Sequence, residues 1–499
     1  MKKTILTVLL AAAAFALASC DILDIFSDTD LKPPDNSLNN NLPEGQFYAQ
    51  NLGTQQFYIV NAAKLTEGSK CEIWAEKNSG VSQSTAASIA NEYDTNIYQK
   101  IVDAFSIRNF DFSYTESGIG KTEHFSDMME FADWLTDENG KLTILLLDIK
   151  DGYKKPTDAY TAGYFFGGNL YDKGPVQDEY GSILFYSNGK DMMYVDTYPG
   201  RPGSQDSNAT FAHELQHLIN FATTLALQRN SLMDTWIDEG LSSQAEFLYL
   251  NNNPPDRLEW FNKDSNNTIS KGNNFFVWGN YTGNSILDEY ATVYLFFHWL
   301  YLQNNKNSSL FLNITRGNYT DYRAVTSVAT GINSGWNSWD TLLRTWMAAN
   351  YAPTNTSYGY KGDTELQGIQ IKTTSGAGNK IALYPGEGVY SQITSLYKTL
   401  PASGSGGSIR YATLTGSGQP VPVTSGTLTG NALLTYNIST STTGSTEIGH
   451  LTGASGTASM TSSSGRSLTG SSPAALDARD ILGRNNAKPP HFPVPLQRR

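Results

Sequence analysis

Residues 210–221 have the sequence Thr-Phe-Ala-His-Glu-Leu-Gln-His-Leu-Ile-Asn-Phe, and this stretch decides the interpretation of the chain. The apolar residues around its polar centre predict a helix that is buried in the fold. His213 and His217 are one helical turn apart, so both imidazoles lie on one face and can bind one metal ion. Glu214 is offset from that face, close enough to accept a proton from water at the ion. The alternative is a helix with two solvent-facing histidines.

A catalytic zinc ion needs a third protein ligand and an open coordination position. The next acidic cluster lies in residues 235–246, Thr-Trp-Ile-Asp-Glu-Gly-Leu-Ser-Ser-Gln-Ala-Glu, far enough along for a turn and a second helix that returns beside the first. Three carboxylates compete there. Glu239 and Glu246 share one helical face about two turns apart, so only one can be level with the histidines. Asp238 points roughly 100° away from Glu239, and its side chain is shorter.

Together the two segments contain His-Glu-x-x-His followed by Trp-x-x-Glu-Gly. This combination resembles the gluzincin class of metallopeptidases. Residues 213–221 and 236–246, with the upstream Tyr-Val-Asp-Thr-Tyr-Pro of residues 194–199, are similar to the hyicolysin-like family of secreted bacterial peptidases. The resemblance covers roughly residues 46–350, and it implies a zincin fold.

The resemblance also implies a set of roles for the residues of the site. Zn²⁺ would be held by His213, His217 and Glu239, and Glu214 would activate the zinc-bound water for cleavage of a peptide bond. Asp238 stands where related aminopeptidases have Asn, and the chain lacks their Gly-Ala-Met-Glu-Asn motif. An endopeptidase is therefore expected rather than an aminopeptidase.

Further candidates surround this motif. An acyl-transfer transition state needs a hydrogen-bond donor for its oxyanion, and Tyr290 is our first candidate; Tyr294, on the same helical face, is the second, and a core position is the alternative for both. Asp196 either orients a ligand histidine or caps a loop. The aromatic, Gly-punctuated residues 160–168 are either a sheet edge that binds substrate as an added strand or an ordinary core strand. His298 is predicted to be a hydrogen-bonded core histidine.

The N-terminus predicts export and lipid attachment. Lys2 and Lys3 precede an apolar run too short to span a membrane, and residues 17–20 are Leu-Ala-Ser-Cys. This pattern resembles the bacterial lipobox, which implies cleavage before Cys20 and lipidation of its thiol; an ordinary signal peptide is the alternative. Cys71 lies in a strand-like run and is predicted to be buried and inert. The net charge of −12 argues against nucleic acid as a partner.

The order of elements predicts an α+β fold: a mixed sheet, the active-site helix and a helical lower subdomain of a zincin-like domain, then a C-terminal β-rich region. Strands are predicted in 46–76, 142–149 and 160–171, a hairpin in 182–195, and helices in 86–106, 233–250, 286–302 and 336–349. The predicted regions are a lipoprotein signal peptide (1–19), a flexible tether (20–45), the metallopeptidase domain (46–350), a Gly/Ser/Thr-rich β domain (351–475) and a disordered tail (476–499).

The sequence thus predicts a zinc-dependent endopeptidase that is anchored to a bacterial membrane through Cys20. It would face the periplasm or the cell exterior and cleave extracellular proteins or peptides. The alternative is a non-catalytic adhesin or binding protein on a zincin scaffold, which the Gly/Ser/Thr-rich C-terminal part would suit. Glu214 argues against that alternative because a binding module has no need of a general base beside the histidines.

Overall fold

The fold is taken from a computed structural model of the chain. The predicted signal peptide, Cys20, most of the predicted tether and the predicted tail lie outside the residues that it describes. These are residues 38–39, 42–116, 118–136, 139–155, 160–178, 180–263, 274–277, 287–371, 373–374, 380–394, 400, 407–442, 445–449 and 461–463.

The chain divides into two compact units, and each is described by itself. The first takes in the described residues up to Leu232 together with Leu248–Leu250, and the second takes in Met233–Phe247 and the described residues from Asn251 onward. Both units contain helices and strands, so the predicted α+β class is confirmed.

A mixed six-stranded sheet organises the first unit, in the order β1-β2-β3-β6-β10-β7. Its central strand β6 is the apolar run Leu142–Leu147, in which every residue is buried, as expected for a strand covered on both faces. Strand β6 pairs in parallel with β3 and with β10, and the other pairs are antiparallel. The strands of the sheet are β1 Gln46–Asn51, β2 Gln56–Glu67, β3 Cys71–Glu76, β6 Leu142–Leu147, β7 Gly163–Phe165 and β10 Met192–Asp196.

Helices and two hairpins complete the first unit. The predicted helix in 86–106 is present as two α-helices joined by a π-helical turn. A hairpin and a short helix after it were not predicted, and they hold together through the rings of Phe112, Phe125, Phe131 and Trp134. These elements are α1 Gln83–Glu92, α2 Tyr98–Phe105, β4 Phe110–Glu116, β5 Ile119–Phe125, α3 Met128–Leu135, β8 Gly174–Gln177, β9 Ile183–Ser187 and α4 Gln205–Ala226.

The predicted hairpin in 182–195 is wrong. Strand β9 pairs with β8, whereas β10 belongs to the large sheet. The reason is Asn188 at the expected turn, which is buried and bonds to strand β1 as a strand residue would. Its Oδ1 accepts the N–H of Tyr48 at 2.8 Å, and its Nδ2 donates to the carbonyl of Tyr48 at 2.9 Å and to the hydroxyl of Tyr194 at 2.8 Å.

The strand predicted in residues 160–171 is much shorter than expected. Only Gly163–Phe165 forms a strand, and a 3-10 turn follows at Gly167–Leu170. A side chain at Gly167 would overlap the ring of Phe221, since its Cβ would lie 2.5 Å from Cε2 of that ring. The chain can therefore lie close to α4 here only because the position is glycine.

The second unit combines a helical part with β-sheets. An aromatic cluster that includes Trp236, Phe275, Phe296, Trp339 and Trp346 packs its interior. Helices predicted in 233–250, 286–302 and 336–349 are confirmed within a few residues. The helices are α5 Thr235–Leu250, α6 Pro255–Lys263, α7 Leu287–Gln303, α8 Ser309–Thr315, α9 Tyr322–Ile332 and α10 Trp339–Tyr351, and the first of these also supplies Leu248–Leu250 to the other unit.

Two sheets follow these helices, and they confirm the β-rich character of the C-terminal part. One has the strand order β11-β13-β16-β14-β15, in which β16 pairs antiparallel with β13 and with β14. The other has the order β12-β17-β18. The strands are β11 Thr373–Thr374, β12 Lys380–Leu383, β13 Gly388–Gln392, β14 Ile409–Leu414, β15 Val421–Pro422, β16 Ala432–Asn437, β17 Ser445–Gly449 and β18 Thr461–Ser463.

None of the helices in the described part of the chain has both the length and the apolar character that crossing a membrane requires.

Candidate metal centre

Helix α4 places the two histidines of the motif side by side. It begins after Ser204, whose hydroxyl accepts the N–H of Ser207 at 3.2 Å and so caps the first turn. The imidazole rings of His213 and His217 have centroids 4.8 Å apart and an interplanar angle of 71°. Both side chains are buried, which contradicts the alternative of two solvent-facing histidines.

Glu239 completes a group that could hold a metal ion. One ligand atom each from His213, His217 and Glu239 lie within 4.8 Å of one another, and all three residues are buried. Two imidazole nitrogens and one carboxylate oxygen are a donor set that suits zinc and leaves one position open. The residues present therefore fit the ion that the sequence implies. Within the described ranges, no other three residues of these types form such a group.

The competing carboxylates have other surroundings. Glu246 forms an ion pair with Arg257, with Nη2 and Oε1 2.9 Å apart, and the arginine side chain is fully buried. Asp238 is absent from the group that includes the histidines. Gly240, after Glu239, is covered by a side chain of the same unit, because a Cβ there would lie 2.2 Å from Cδ2 of Phe297.

The edge strand β7 packs directly against α4 next to Glu214. A Cβ on Gly163 would lie 2.7 Å from Cγ2 of Thr210, 2.9 Å from the carbonyl oxygen of Tyr194 and 3.5 Å from Cγ of Glu214. Only glycine permits this approach, and the glycine inside an aromatic run was the available sequence signal. Gly163 was not among the individual residues predicted to take part in the site.

Strand β7 also presents backbone hydrogen-bonding groups away from its partner. Its residue Gly163 is opposite Val195 of β10, and the N–H of Asp196 donates to the carbonyl of Ala162. Bonded and non-bonded pairs alternate in an antiparallel ladder, so Gly163 is at a non-bonded position and its N–H and C=O point outward. Among the described strands, none pairs with this outer side.

Asp196 caps a loop, and this confirms the second of its two predicted roles. Its Oδ1 accepts the N–H of Ile149 at 3.0 Å, and its Oδ2 accepts the N–H of Gly200 at 2.8 Å. Burial raises the pKa of Asp196 to about 7, although the backbone donors act in the opposite direction. Cys71 is also as predicted, because it is buried and burial raises the pKa of its thiol to about 12.

The two tyrosines proposed as oxyanion donors are both buried in α7. The hydroxyl of Tyr294 donates to Oδ1 of Asn253 at 2.5 Å, so it belongs to a core network. Tyr290 has a different neighbour, since the guanidinium carbon of Arg257 lies 5.6 Å from the centre of its ring.

His298 is a core histidine, as predicted. Its Nδ1 is 3.2 Å from Oε1 of Gln244, and its Nε2 is 3.2 Å from Oδ2 of Asp363. Burial lowers the pKa of His298, which favours the neutral imidazole. Both ring nitrogens thus have partners within the second unit.

The chain is similar in sequence to a known peptidase. It is 33% identical over 186 residues to the neutral metalloprotease ShpI of Staphylococcus hyicus. This similarity supports a metallopeptidase family. The match spans 36% of this chain and 39% of the length of ShpI. No protein-family model matches the chain.

Proposed function

We propose that this chain is a zinc-dependent endopeptidase with a zincin arrangement of the gluzincin type. The observation that carries the proposal is the buried group of His213, His217 and Glu239, with Glu214 next to the first histidine on the same helix. The similarity to a neutral metalloprotease supports the same chemistry.

In this proposal His213, His217 and Glu239 hold Zn²⁺. When bound, the ion would polarise the scissile carbonyl and make water a better nucleophile at neutral pH. Glu214 accepts the proton of the attacking water and donates it to the leaving amine. Its carboxylate is placed for this task by α4, since a helix fixes its direction relative to the neighbouring His213.

Strand β7 would bind the substrate. An extended peptide can add to its outer side, where the N–H and C=O of Gly163 are directed, and such pairing needs no chain terminus. The close packing of Gly163 on α4 brings this edge within reach of Glu214. Binding through backbone groups in mid-chain supports an endopeptidase.

Tyr290 would donate a hydrogen bond to the oxyanion. The guanidinium carbon of Arg257 lies 5.6 Å from the centre of its ring, in a cation–π contact that holds the ring in position. The hydroxyl of Tyr294 donates to Asn253 within the core. We place Tyr290 first because of its contact with Arg257.

The protein would act outside the cell membrane. Lipid on Cys20 would attach it to a bacterial membrane, with the peptidase facing the periplasm or the cell exterior, where proteins or peptides are its substrates. The support for this location is the Leu-Ala-Ser-Cys sequence of residues 17–20 after an apolar leader.

A casein digest combined with a metal assay tests the function. The wild type should contain about one zinc per chain and cleave casein within the polypeptide. Glu214→Gln should keep the zinc and lose about 100-fold or more of the turnover, because it removes proton transfer and leaves the proposed ligands in place.

The matched control is Glu123→Gln, in the exposed strand β5, which should keep both properties. A wild type with neither zinc nor hydrolysis would refute the proposal and favour a binding protein on the same scaffold.

A further inference from the structure

Three tyrosines form an aromatic cluster in the first unit, where three segments of the chain meet. The ring of Tyr153 is 6.1 Å from that of Tyr160 and 5.8 Å from that of Tyr198, both in edge-to-face contact. Tyr198 is 64% exposed although it is a large aromatic residue. The other two rings are half-buried. Contiguous exposed apolar surface is one mark of a binding site.

Two carboxylates, the partly buried Asp151 and the buried Asp196, hold these segments in place. Asp151 accepts the N–H groups of Tyr153 and Thr161, at 2.9 and 2.5 Å, and so ties the first segment to the second. Asp196 accepts the N–H of Gly200 at 2.8 Å and fixes the loop that carries the third tyrosine. The backbone under the rings is therefore ordered before any ligand arrives, which lowers the entropic cost of binding.

The cluster is continuous with the proposed substrate edge. Tyr160 comes three residues before Gly163, so the two are at most about 11 Å apart along the chain. Tyr198 comes two residues after Asp196, whose N–H pairs with Ala162 at the start of the same edge. A peptide of a few residues that lies on β7 would extend over the three rings.

We propose that this tyrosine cluster binds one large apolar side chain of the extended peptide substrate and so sets sequence preference near the cleaved bond. The inference rests on the proposed function. Edge-to-face rings provide apolar walls for such a side chain, and tyrosines lose little conformational freedom when they bind it. The occupant is the substrate itself, because the cluster lies at the end of the edge that would hold the substrate backbone.

A direct binding measurement tests the cluster without turnover. The Glu214→Gln protein, loaded with zinc, is titrated with extended peptides that carry either Phe or Ser at each successive position around one cleavable bond. One position should prefer Phe by about 10-fold, the usual size of selection by an apolar pocket. Adding Tyr198→Ser should abolish that preference, and Tyr153→Ser should weaken it.

The matched control is Tyr180→Ser, which removes another exposed tyrosine of the first unit and should leave the preference unchanged. The inference is overturned when no position prefers Phe, when no peptide binds, or when the preference survives Tyr198→Ser. Casein cleavage by the wild type distinguishes a failure of the proposed tyrosine cluster from a failure of the proposed proteolytic function. Cleavage without a preference that depends on the cluster refutes only the cluster, whereas a preference without cleavage refutes proteolysis and keeps the peptide site.

Discussion

The contact between β7 and α4 can be tested by adding one methyl group to Gly163. In Gly163→Ala the new Cβ would lie 2.7 Å from Cγ2 of Thr210 and 2.9 Å from the carbonyl oxygen of Tyr194. The carbonyl belongs to β10 and cannot rotate away, so the edge strand must shift by a few tenths of an ångström. Overpacking of this kind destabilises the fold by about 1–3 kcal/mol. The replacement of glycine by alanine also lowers the conformational entropy of the unfolded chain, which stabilises the fold by about 0.4–1 kcal/mol. The free energy of unfolding should fall by about 1–2 kcal/mol.

Activity should respond more strongly than stability. A shift of the edge moves any peptide bound on it relative to Glu214, and small misplacements of reacting groups are costly to rate. We expect kcat/KM for a peptide substrate to fall by about 10-fold or more. Urea denaturation followed by tryptophan fluorescence gives the first quantity, and peptide hydrolysis gives the second.

Two further variants assign the effect to the contact. Gly120→Ala, in the exposed strand β5, places a Cβ with no atom within 4 Å and should change neither quantity. Thr210→Ser removes the nearer of the two clashing atoms and keeps the hydroxyl that donates to the carbonyl of Asp206. The double variant should recover part of the loss, because the contact with Tyr194 remains. Wild-type stability and activity in Gly163→Ala would refute the close packing of β7 on α4.

Four other outcomes are expected. Glu239→Ala should lose zinc and activity together, whereas Glu246→Ala should keep zinc and lose less than the roughly 3–5 kcal/mol of a fully broken buried ion pair, because Asp256 still pairs with Arg257; the reverse distribution of zinc would identify Glu246 as the ligand. Tyr290→Phe should lower kcat by about 10-fold with little change in KM, and equal activity would place this tyrosine in the core alone. Cys20→Ser should move the protein from the detergent phase to the aqueous phase in a partition assay, and unchanged partition would contradict the lipid anchor. The pKa of Asp196 is raised from 3.8 to about 7, so its contribution to stability is complete below about pH 4 and is lost as the pH rises to 7. Asp196→Asn should flatten this slope in urea denaturation, and an unchanged slope would assign it to other groups.

The central strands and the site helix could be predicted because their signals are local. An unbroken apolar run such as Leu142–Leu147 is compatible with few environments other than a buried strand. The spacing of His213 and His217 fixes their common face as soon as the segment is a helix. For these residues, the local sequence pattern is enough to predict the secondary structure and the direction of the side chains.

Strand pairing could not be predicted in the same way, because it depends on partners that are distant in sequence. Asn188-Gly189 is a strong turn signal between two apolar runs. The side chain of Asn188 instead bonds to the backbone of Tyr48, which lies 140 positions earlier. A tertiary contact therefore overrides the local turn preference, and the sequence around Asn188-Gly189 gives no sign of that contact.

The third metal ligand could be predicted only in part from the sequence. Helical geometry separates Asp238 from Glu239, but it leaves Glu239 and Glu246 on one face. What distinguishes them is Arg257, a residue beyond the end of the helix that pairs with Glu246. The sequence shows an arginine there, but it does not show which carboxylate the arginine contacts.

The buried asparagine also has a bearing on how long a molecule of this protein remains chemically intact. An asparagine before glycine deamidates readily when the glycine nitrogen can attack the side-chain carbonyl, as it can in an unfolded chain. In the fold, the N–H of Gly189 donates to Oγ of Ser187 at 3.0 Å, and the amide of Asn188 is held by Tyr48 and Tyr194. Folding thus halts this ageing reaction. A chain that deamidates before it folds would bring a carboxylate against the carbonyl of Tyr48 in place of the donor that Asn188 supplies, so this side chain has to be intact when the sheet forms.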